Sequence, residues 1–360
     1  KYLENAAFAT VGDVMDLMGE NRILVREGLK ALNSTQNYGM RALAARNQIE
    51  LGHIKAYHIG FVLGPCLNAS GRLDTAKRAL ELLLAENEKQ AAEYAGDLYD
   101  LNVRRKEMTE QGVEKAAEIV EQMGSDRDKV LVIYLPDCHE SLAGIIAGRI
   151  RERYHRPVFI LTPSGEEVKG SGRSIEAYSM YEEMSKCKEL FTKFGGHPMA
   201  AGLSLPKEHV ELFSSRLNEN TVLTEEDLQG KIVIDVPMPL DYITKSLIEE
   251  FGILEPFGKA NEKPVFADKN IRILDLKILG KNKNVCRMMV QSQGGTKMNA
   301  VYFGQTGVFL DFLKNKYGEQ ALEQTMEGRD SGITISFLYY PEVNVYNGRE
   351  SIQIIVKNYC

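Results

Sequence analysis

The spacing of apolar residues changes along the chain, from helical in the first third to alternating in the last third. Apolar side chains between Asn21 and Leu32 recur every three or four residues, which predicts a helix over that segment. Asn5 to Leu17 is a second apolar segment, interrupted at Gly12-Asp13. Residues 1–65 as a whole are expected to combine helix and strand.

A long charged helix is predicted from Asp74 to Met123. This segment lacks proline, is rich in Ala, Leu, Glu, Lys and Arg, and carries apolar residues at helical spacing. Unbroken, it would reach about 70 Å at 1.5 Å per residue. Gly96 and Gly112 are the positions where a break is expected, and Gly124 is the expected end.

Strand and helix patterns alternate between residues 129 and 220, which is typical of an α/β domain. We expect strands at 129–135, 158–162 and 201–205, and helices at 142–154, 178–187 and 210–217.

Short alternating strands separated by glycine turns dominate from residue 228 onward. They are expected at 231–236, 271–279, 285–291, 298–303, 333–338, 343–346 and 351–356, with helices around 243–251 and 307–316. This pattern favours a small closed barrel of the oligonucleotide-binding type.

Composition narrows the class of protein. Of the 360 residues, 44% are hydrophobic and 26% charged, which is ordinary for two or three globular domains. The net charge of −6 excludes a polycationic chain, so a nucleic-acid partner must meet local basic patches. Five dispersed cysteines without a CxxC pair argue against a disulfide framework or a structural zinc site and favour a cytoplasmic protein.

The sequence contains no apolar run long enough to cross a membrane and no signal-peptide pattern, so no membrane partner is expected. It opens at Lys1 without an initiator methionine, and we expect it to be a piece of a larger protein.

Ser171, Gly172, Arg173 and Ser174 form the first of two glycine-containing segments that suit phosphate binding. Because glycines bracket Ser171, we expect a turn whose backbone N–H groups converge on an anion, completed by the serine hydroxyls and Arg173. The alternative is a strand-connecting turn whose arginine pairs with a local carboxylate.

The second segment contains Gly195, Gly196 and His197, predicted as a tight turn that brings an imidazole to a phosphate. His197 would neutralise the phosphate or shuttle a proton, the alternative being a histidine hydrogen-bonded inside the fold. His139 follows a predicted strand end, where binding sites of α/β domains often lie.

Asn68 and Arg72 are a third candidate pair, in which the arginine clamps a phosphate and the asparagine hydrogen-bonds beside it. The alternative is a loop that caps the following helix. Two further sets have weaker signals: the basic helix around Arg149, and barrel aromatics that would stack bases beside basic loops. The alternative for the basic helix is a solvated face, and the alternative for the aromatics is the core of the barrel. The aromatic set comprises Phe303, Tyr339, Tyr340 and Tyr346, with Lys281 and Lys283 as the basic neighbours.

Taken in order, three segments resemble the RecJ family of single-stranded-DNA exonucleases, in the DHH phosphoesterase superfamily. They are Gly64–Asp74, Ser171–Ser174 and Gly195–Gly202, and Glu255–Gly258 resembles the entry to that family's barrel domain. The family motif commonly has arginine where Cys66 stands.

The resemblance implies a multidomain α/β fold. The implied parts are the end of a DHH catalytic domain (1–65), a connector helix (66–125), a DHH-associated α/β domain (126–225) and an OB-fold barrel (226–360). Asp13, in a segment similar to the family's last metal motif, would then bind Mn²⁺ or Mg²⁺, with a turn or cap aspartate as the alternative. The family's other metal motifs are not found in this sequence, so we do not expect the metals to be retained by these residues alone.

The implied activity is 5′-to-3′ degradation of single-stranded DNA in repair and recombination. A helicase and a single-strand-binding protein are partners typical of the family. Two alternatives stay open: a module that binds single-stranded DNA without cutting it, and a phosphodiesterase that acts on short oligonucleotides.

Overall fold

The computed structural model describes residues 2–124, 128–346 and 348–360. The chain divides into two compact units: Leu29–Lys231 with the residues before Asn5, and Asn5–Gly28 with Ile232–Cys360.

The first third of the chain is helical. Its elements are α1 (Leu3–Gly12), α2 (Gly19–Asn33), α3 (Tyr38–Arg46), α4 (Ala56–His58), a π-helical turn (Ile59–Leu63), α5 (Gly64–Leu73), α6 (Lys77–Leu83) and α7 (Glu88–Met123). The helix predicted over 21–32 is confirmed as α2. The prediction of strands in this region is wrong, because the described residues before 66 form helices and loops.

The predicted single helix from Asp74 to Met123 is wrong at its N-terminal end. α6 ends at Leu83, and α7 begins after Asn87, whose side chain accepts a hydrogen bond from the Gln90 N–H at 2.9 Å. The 36 residues of α7 span about 54 Å. Gly112 does not break it; a Cβ there would lie 2.4 Å from Ile146 Cδ1, so this glycine lets two helices approach closely.

A five-stranded sheet follows, with helices on both faces. Its strands are β1 (Leu131–Tyr134), β2 (Val158–Ser164), β3 (Glu167–Arg173), β4 (Lys193–His197) and β5 (Ala200–Pro206), in the spatial order β1-β2-β3-β5-β4. Its helices are α8 (Ala143–Tyr154), α9 (Met180–Ser185) and α10 (Val210–Asn220). β1 and β2 are parallel, and the other pairs are antiparallel.

The two faces of this sheet bury different cores because side chains alternate along each strand. Val158 and Ile160 of β2 pack with α8, whereas Phe159 and Leu161 pack with α9 and α10. The α8 face is the one that carries the candidate site.

The last third forms a closed barrel, as predicted. Its elements are β6 (Val236–Pro237), α11 (Lys245–Glu250), β7 (Phe266–Leu279), β8 (Val285–Gln291), β9 (Lys297–Phe303), α12 (Thr306–Tyr317), α13 (Glu319–Met326), β10 (Thr334–Tyr346) and β11 (Arg349–Tyr359). The order β7-β8-β9-β11-β10 closes through pairing of β10 with β7. The strands predicted at 333–338 and 343–346 are one continuous strand, β10, and the strand predicted at 231–236 is reduced to β6.

Candidate functional site

The first glycine-containing segment is a strand, so the predicted anion-binding turn at Ser171 and Gly172 is wrong. Ser171 pairs with Ile160 on one side and Gly202 on the other, and the ladders on both sides occupy the backbone groups of β3. Gly172 serves packing instead, because a Cβ there would lie 2.5 Å from the Met180 sulfur.

The second segment is also a strand. Gly195, Gly196 and His197 form most of edge strand β4, paired with β5, and the reversal comes after His197. The predicted tight turn at the two glycines is therefore wrong. A Cβ at Gly196 would lie 2.5 Å from the Ala200 carbonyl oxygen, so this glycine permits a close approach of the two strands.

Arg173 and His197 nevertheless share one face of the sheet. Arg173 pairs with Ala200, and Ala200 pairs with His197. Directly paired residues point to the same side, so the two side chains lie in one row, about 10 Å apart at two strand spacings. His197 is exposed and Arg173 half-buried.

The Arg173 guanidinium lies against the first turn of α8. A Cβ on Gly144 would be 2.8 Å from its Nη2, and its Nη1 donates to the Gly172 carbonyl at 2.7 Å. Arg72, from α5, donates from Nη1 to the Ser141 carbonyl at 2.7 Å, just before α8. The structure thus brings Arg72 and Arg173 to the same helix terminus.

Several arginine side chains interact electrostatically around Arg72 and Arg173. Burial, and then the charges of Arg72 and Arg151, lower the pKa of Arg173. Burial, and then the charges of Arg72 and Arg149, lower the pKa of Arg105. The side chains that interact here are Arg72, Arg105, Arg149, Arg151 and Arg173. We call them the arginine cluster.

Four members of the arginine cluster have no carboxylate within ion-pair distance among the described residues; only Arg151 has one, from Glu152 at 3.0 Å. Of these four, Arg149 is exposed and the other three are half-buried. Like charges without counterions repel each other, and an anion would relieve that repulsion. The cluster is therefore suited to bind phosphate groups.

Sequence reasoning missed Arg105. Its Nε donates to Asn102 Oδ1 at 3.0 Å, and the buried Asn102 in turn donates to Cys66 Sγ at 3.3 Å. The basic run 104–106 in the middle of α7 was the available signal. Cys66 is fully buried, so its side chain does not reach a phosphate.

The other predicted phosphate ligands differ in position. The prediction that Ser174 binds phosphate is wrong. Its side chain is 1% exposed and its hydroxyl donates to the Tyr178 carbonyl at 2.5 Å, so it belongs to the core. Asn68 is exposed one turn before Arg72 on α5 and lies on the same helix face. The exposed His139 accepts from the Ser141 N–H at 3.3 Å and lies 2.8 Å from the Ser141 hydroxyl, so it caps the turn that Arg72 contacts.

An open trough of about 360 Å³ extends from Ser171 along the α8 face of the sheet. Its floor includes Gly202, where an added Cβ would meet nothing closer than 3.9 Å. Its lining includes Lys169 and Lys193 together with Ala143, the first residue of α8, and Ser141 before it. We call it the sheet trough; Lys193 was not recognised from the sequence.

Asp13 belongs to the second unit and is exposed just beyond α1. The next residue, Val14, has φ of 54°, a conformation that is rare and strained for a β-branched side chain. Within the described residues, no three His, Cys, Asp or Glu side chains are grouped to hold a metal ion. These residues by themselves do not fit a two-metal centre.

The barrel aromatics divide into core and surface. Tyr339 and Tyr340 are 0% and 7% exposed, so the prediction that they stack bases is wrong. Phe303 is 61% exposed at the end of β9, paired with Val285 beside the loop that carries Lys281 and Lys283. The side chain of Tyr346 lies outside the described part of the structure.

Comparison with known proteins adds a family context. Two family models match the chain, a DHHA1 domain over residues 127–222 and a RecJ OB domain over residues 234–358. The multidomain α/β architecture, the long helix and the closed barrel expected from the resemblance are confirmed. The expected domain boundaries stay a prediction. No helix in the described residues has the length and apolar character needed to cross a bilayer.

The chain is 32% identical over 360 residues to the single-stranded-DNA-specific exonuclease RecJ of Bacillus subtilis (strain 168), and 34% identical over 369 residues to that of Escherichia coli (strain K12). Each alignment covers 99% of this chain, and 43% and 60% of the respective relative. The crystal structure of RecJ from Thermus thermophilus in complex with Mg²⁺ superposes with a TM-score of 0.81 at 25% identity, over 99% of this chain and 52% of that one. RecJ from the same organism in complex with Mn²⁺ also gives 0.81.

Proposed function

The chain belongs to the RecJ family over the portion that it spans, and we propose that it carries the strand-binding part of a 5′-to-3′ single-stranded-DNA exonuclease. It spans about half the length of the relatives it matches, so the activity is proposed for a whole protein of that kind. The arginine cluster is the observation that carries the proposal, because it concentrates positive charge that the described carboxylates leave largely uncompensated.

In this proposal the 5′-phosphate binds between Arg173 and Arg72, with the Ser171 hydroxyl donating to it from the floor of the trough. Arginine suits this role because its planar guanidinium donates two parallel hydrogen bonds to phosphate oxygens. His197, exposed in the same row as Arg173, contacts the next phosphate and is available for proton transfer. Asn68 and His139 support Arg72 from the same helix face and from the turn it contacts.

The barrel binds the strand further from its 5′ end. Barrels of this type bind oligonucleotides on the face of their second and third strands and on the adjoining loops. Phe303 ends the third barrel strand, next to a loop with two lysines, and offers a stacking surface to an unpaired base.

The remaining elements of the proposal come from the family. Mn²⁺ or Mg²⁺ would supply activated water in the whole protein, with Asp13 as one ligand. Action in DNA repair and recombination, a cytoplasmic location, and a helicase and a single-strand-binding protein as partners are proposed on the same basis. The five cysteines are free, which suits a reducing compartment.

A second candidate is a single-stranded-DNA-binding module that hydrolyses nothing by itself. The observation that favours it for these residues is that no metal-binding group of three ligands occurs in the described part of the chain. Release of mononucleotides from a labelled single strand, by this chain with Mn²⁺, would exclude it.

The test of the binding site compares 5′-phosphorylated with 5′-hydroxyl oligonucleotides in a titration followed by fluorescence anisotropy. We expect Arg173→Ala to weaken binding of the phosphorylated strand about tenfold or more, since hydrogen bonds to charged groups contribute about 1.5–3 kcal/mol. The hydroxyl strand should lose much less. Arg216→Ala, which removes an exposed arginine from α10, is the matched control and should leave both affinities unchanged. Equal losses for both strands would remove the assignment of the 5′ end.

A further inference from the structure

The sheet trough continues past the residues assigned to the terminal phosphate. Along β3 the same face presents Arg173, Ser171 and Lys169 in succession, so the two cationic positions are about 13 Å apart at 3.3 Å per residue. A single phosphate held by Arg173 and Ser171 leaves the lysine end of the trough vacant.

The lysine end has the character of a second anion site. Lys169 pairs with Ser204, and Ser204 pairs with Lys193, so both lysines stand in one row of the sheet. Lys169 contacts Glu140 at 2.9 Å, whereas Lys193 has no carboxylate within ion-pair distance among the described residues. One positive charge in this row is therefore uncompensated.

The wall opposite the sheet adds to the positive potential. Ala143, the first residue of the twelve-residue helix α8, lines the trough, as does Ser141 two residues before it. The Ala143 N–H donates to the Glu140 carbonyl, so the helix contributes through the partial positive charge of its N-terminus, which favours an anion. The row that contains Lys169 and Lys193, the N-terminus of α8 and the serine hydroxyls thus all border one open volume of about 360 Å³.

We infer that the sheet trough binds a 5′-diphosphate or 5′-triphosphate end, with the added phosphoryl groups lying between Ser171 and Lys193. The inference rests on the proposed function, since it places the first phosphate at Arg173. It extends the substrate class to strands whose 5′ end carries a phosphoanhydride chain. Glu140 limits the preference, because its carboxylate holds Lys169 and repels the incoming charge.

The test uses one short single strand with a 5′-hydroxyl, 5′-monophosphate or 5′-triphosphate end, titrated into the full chain. We expect the triphosphate strand to bind about tenfold more tightly than the monophosphate strand, the gain of one charge-assisted contact. Lys193→Gln should bring the ratio of the triphosphate-strand affinity to the monophosphate-strand affinity close to one. It should leave the ratio of the monophosphate-strand affinity to the hydroxyl-strand affinity unchanged. Lys188→Gln, an exposed lysine outside the trough, should change neither ratio.

Glu140→Gln provides an independent variant. Removing the carboxylate frees Lys169, so the preference for the triphosphate strand should increase severalfold. Equal affinities of the unmodified chain for the two phosphorylated strands would overturn the inference, as would a Lys193→Gln variant that keeps the wild-type ratio. The ratio of the monophosphate-strand affinity to the hydroxyl-strand affinity reports separately on Arg173, so the proposed function can stand when this inference fails.

Free inorganic pyrophosphate distinguishes a strand terminus from a free ligand with the same chemistry. We expect it to displace the triphosphate strand, but not the hydroxyl strand, in a competition titration. Pyrophosphate binding that depends on Lys193, in a chain that shows no preference for the triphosphate strand, would overturn the assignment to a strand terminus.

Discussion

Arg173 and His197 flank Ala200 in a single cross-strand row, with all three side chains on the α8 face of the sheet. Ala200 places only a methyl group between the Arg173 and His197 side chains. In the proposed site a phosphodiester group lies there and contacts both. The size and charge of residue 200 therefore control access to the pair.

We expect Ala200→Glu to weaken binding of a 5′-phosphorylated single strand about tenfold or more. The new carboxylate would lie between Arg173 and His197, pair with the guanidinium and repel the phosphate. Fluorescence anisotropy at fixed salt measures the affinity. Ala200→Ser is the control and should bind as the unmodified chain does. Unchanged affinity in the glutamate variant would show that the strand does not pass between these two residues.

Two neighbouring glycines of β4 should respond differently to alanine. At Gly196 a Cβ would lie 2.5 Å from the Ala200 carbonyl oxygen and 2.6 Å from the Ala201 Cα, so the strands must separate. We expect Gly196→Ala to lower the free energy of unfolding by about 1–3 kcal/mol. Gly195 has no neighbour within 4 Å of an added Cβ, so Gly195→Ala should stay within about 0.5 kcal/mol. Urea unfolding measures both, and equal effects would contradict the close strand contact.

The exposed ring of Phe303 is expected to contribute to strand binding by the barrel. Stacking of one base on an aromatic ring contributes about 1–3 kcal/mol, so Phe303→Ala should weaken binding of a long single strand at least fivefold. The comparison is with Tyr242→Ala, which removes a ring that is 67% exposed elsewhere in the same unit. Similar losses in the two variants would argue against a specific stacking site at Phe303.

Alkaline pH should destabilise the barrel through Tyr340. Burial, assisted by Glu255 and Glu342, raises the pKa of Tyr340 to about 12. Between pH 10 and 12 the folded chain keeps a phenolic proton that the unfolded chain releases. The stabilisation is complete below pH 10 and is lost as the pH rises through 12, a change of about 2–3 kcal/mol.

The measurement is the urea midpoint as a function of pH from 9 to 12. Tyr340→Phe should flatten the decline, because phenylalanine has no proton to release, whereas Tyr242→Phe should follow the unmodified chain. Burial also raises the pKa of Cys286 to about 12, so part of the decline should persist in the phenylalanine variant. A decline as steep in Tyr340→Phe as in the unmodified chain would contradict the buried phenol.

Periodicity predicted most elements of the fold because their apolar residues face a single core. Residues 285–291 were predicted as a strand and form β8, and the helix predicted at 142–154 is α8 but for its first residue. The strands β3 and β4 were missed because glycine and serine are frequent in both, and such residues ordinarily indicate turns. Their strand conformation comes from pairing with β5, which is distant from β3 in sequence.

The candidate site was predicted by residue type and only partly by geometry. Arg72 and Arg173 lie at the same helix terminus, and His197 lies in the same sheet row as Arg173. The binding and catalytic roles expected of the three residues stay predictions. The mechanism expected for Ser171 and Gly172, a nest of backbone N–H groups, required a turn that does not exist. Arg105 and Lys193 were missed because only tertiary packing separates them from the many solvated basic residues of the chain.

Gly144 and Arg173 are far apart in the sequence but occupy each other's space, since a Cβ on the glycine would lie 2.8 Å from the guanidinium. Any larger residue at 144 would require the flexible end of the Arg173 side chain to shift along the helix. The two positions should therefore covary among related sequences, with glycine favoured at 144 where the arginine is kept. An alanine at 144 would then mark a relative whose arginine takes a different position.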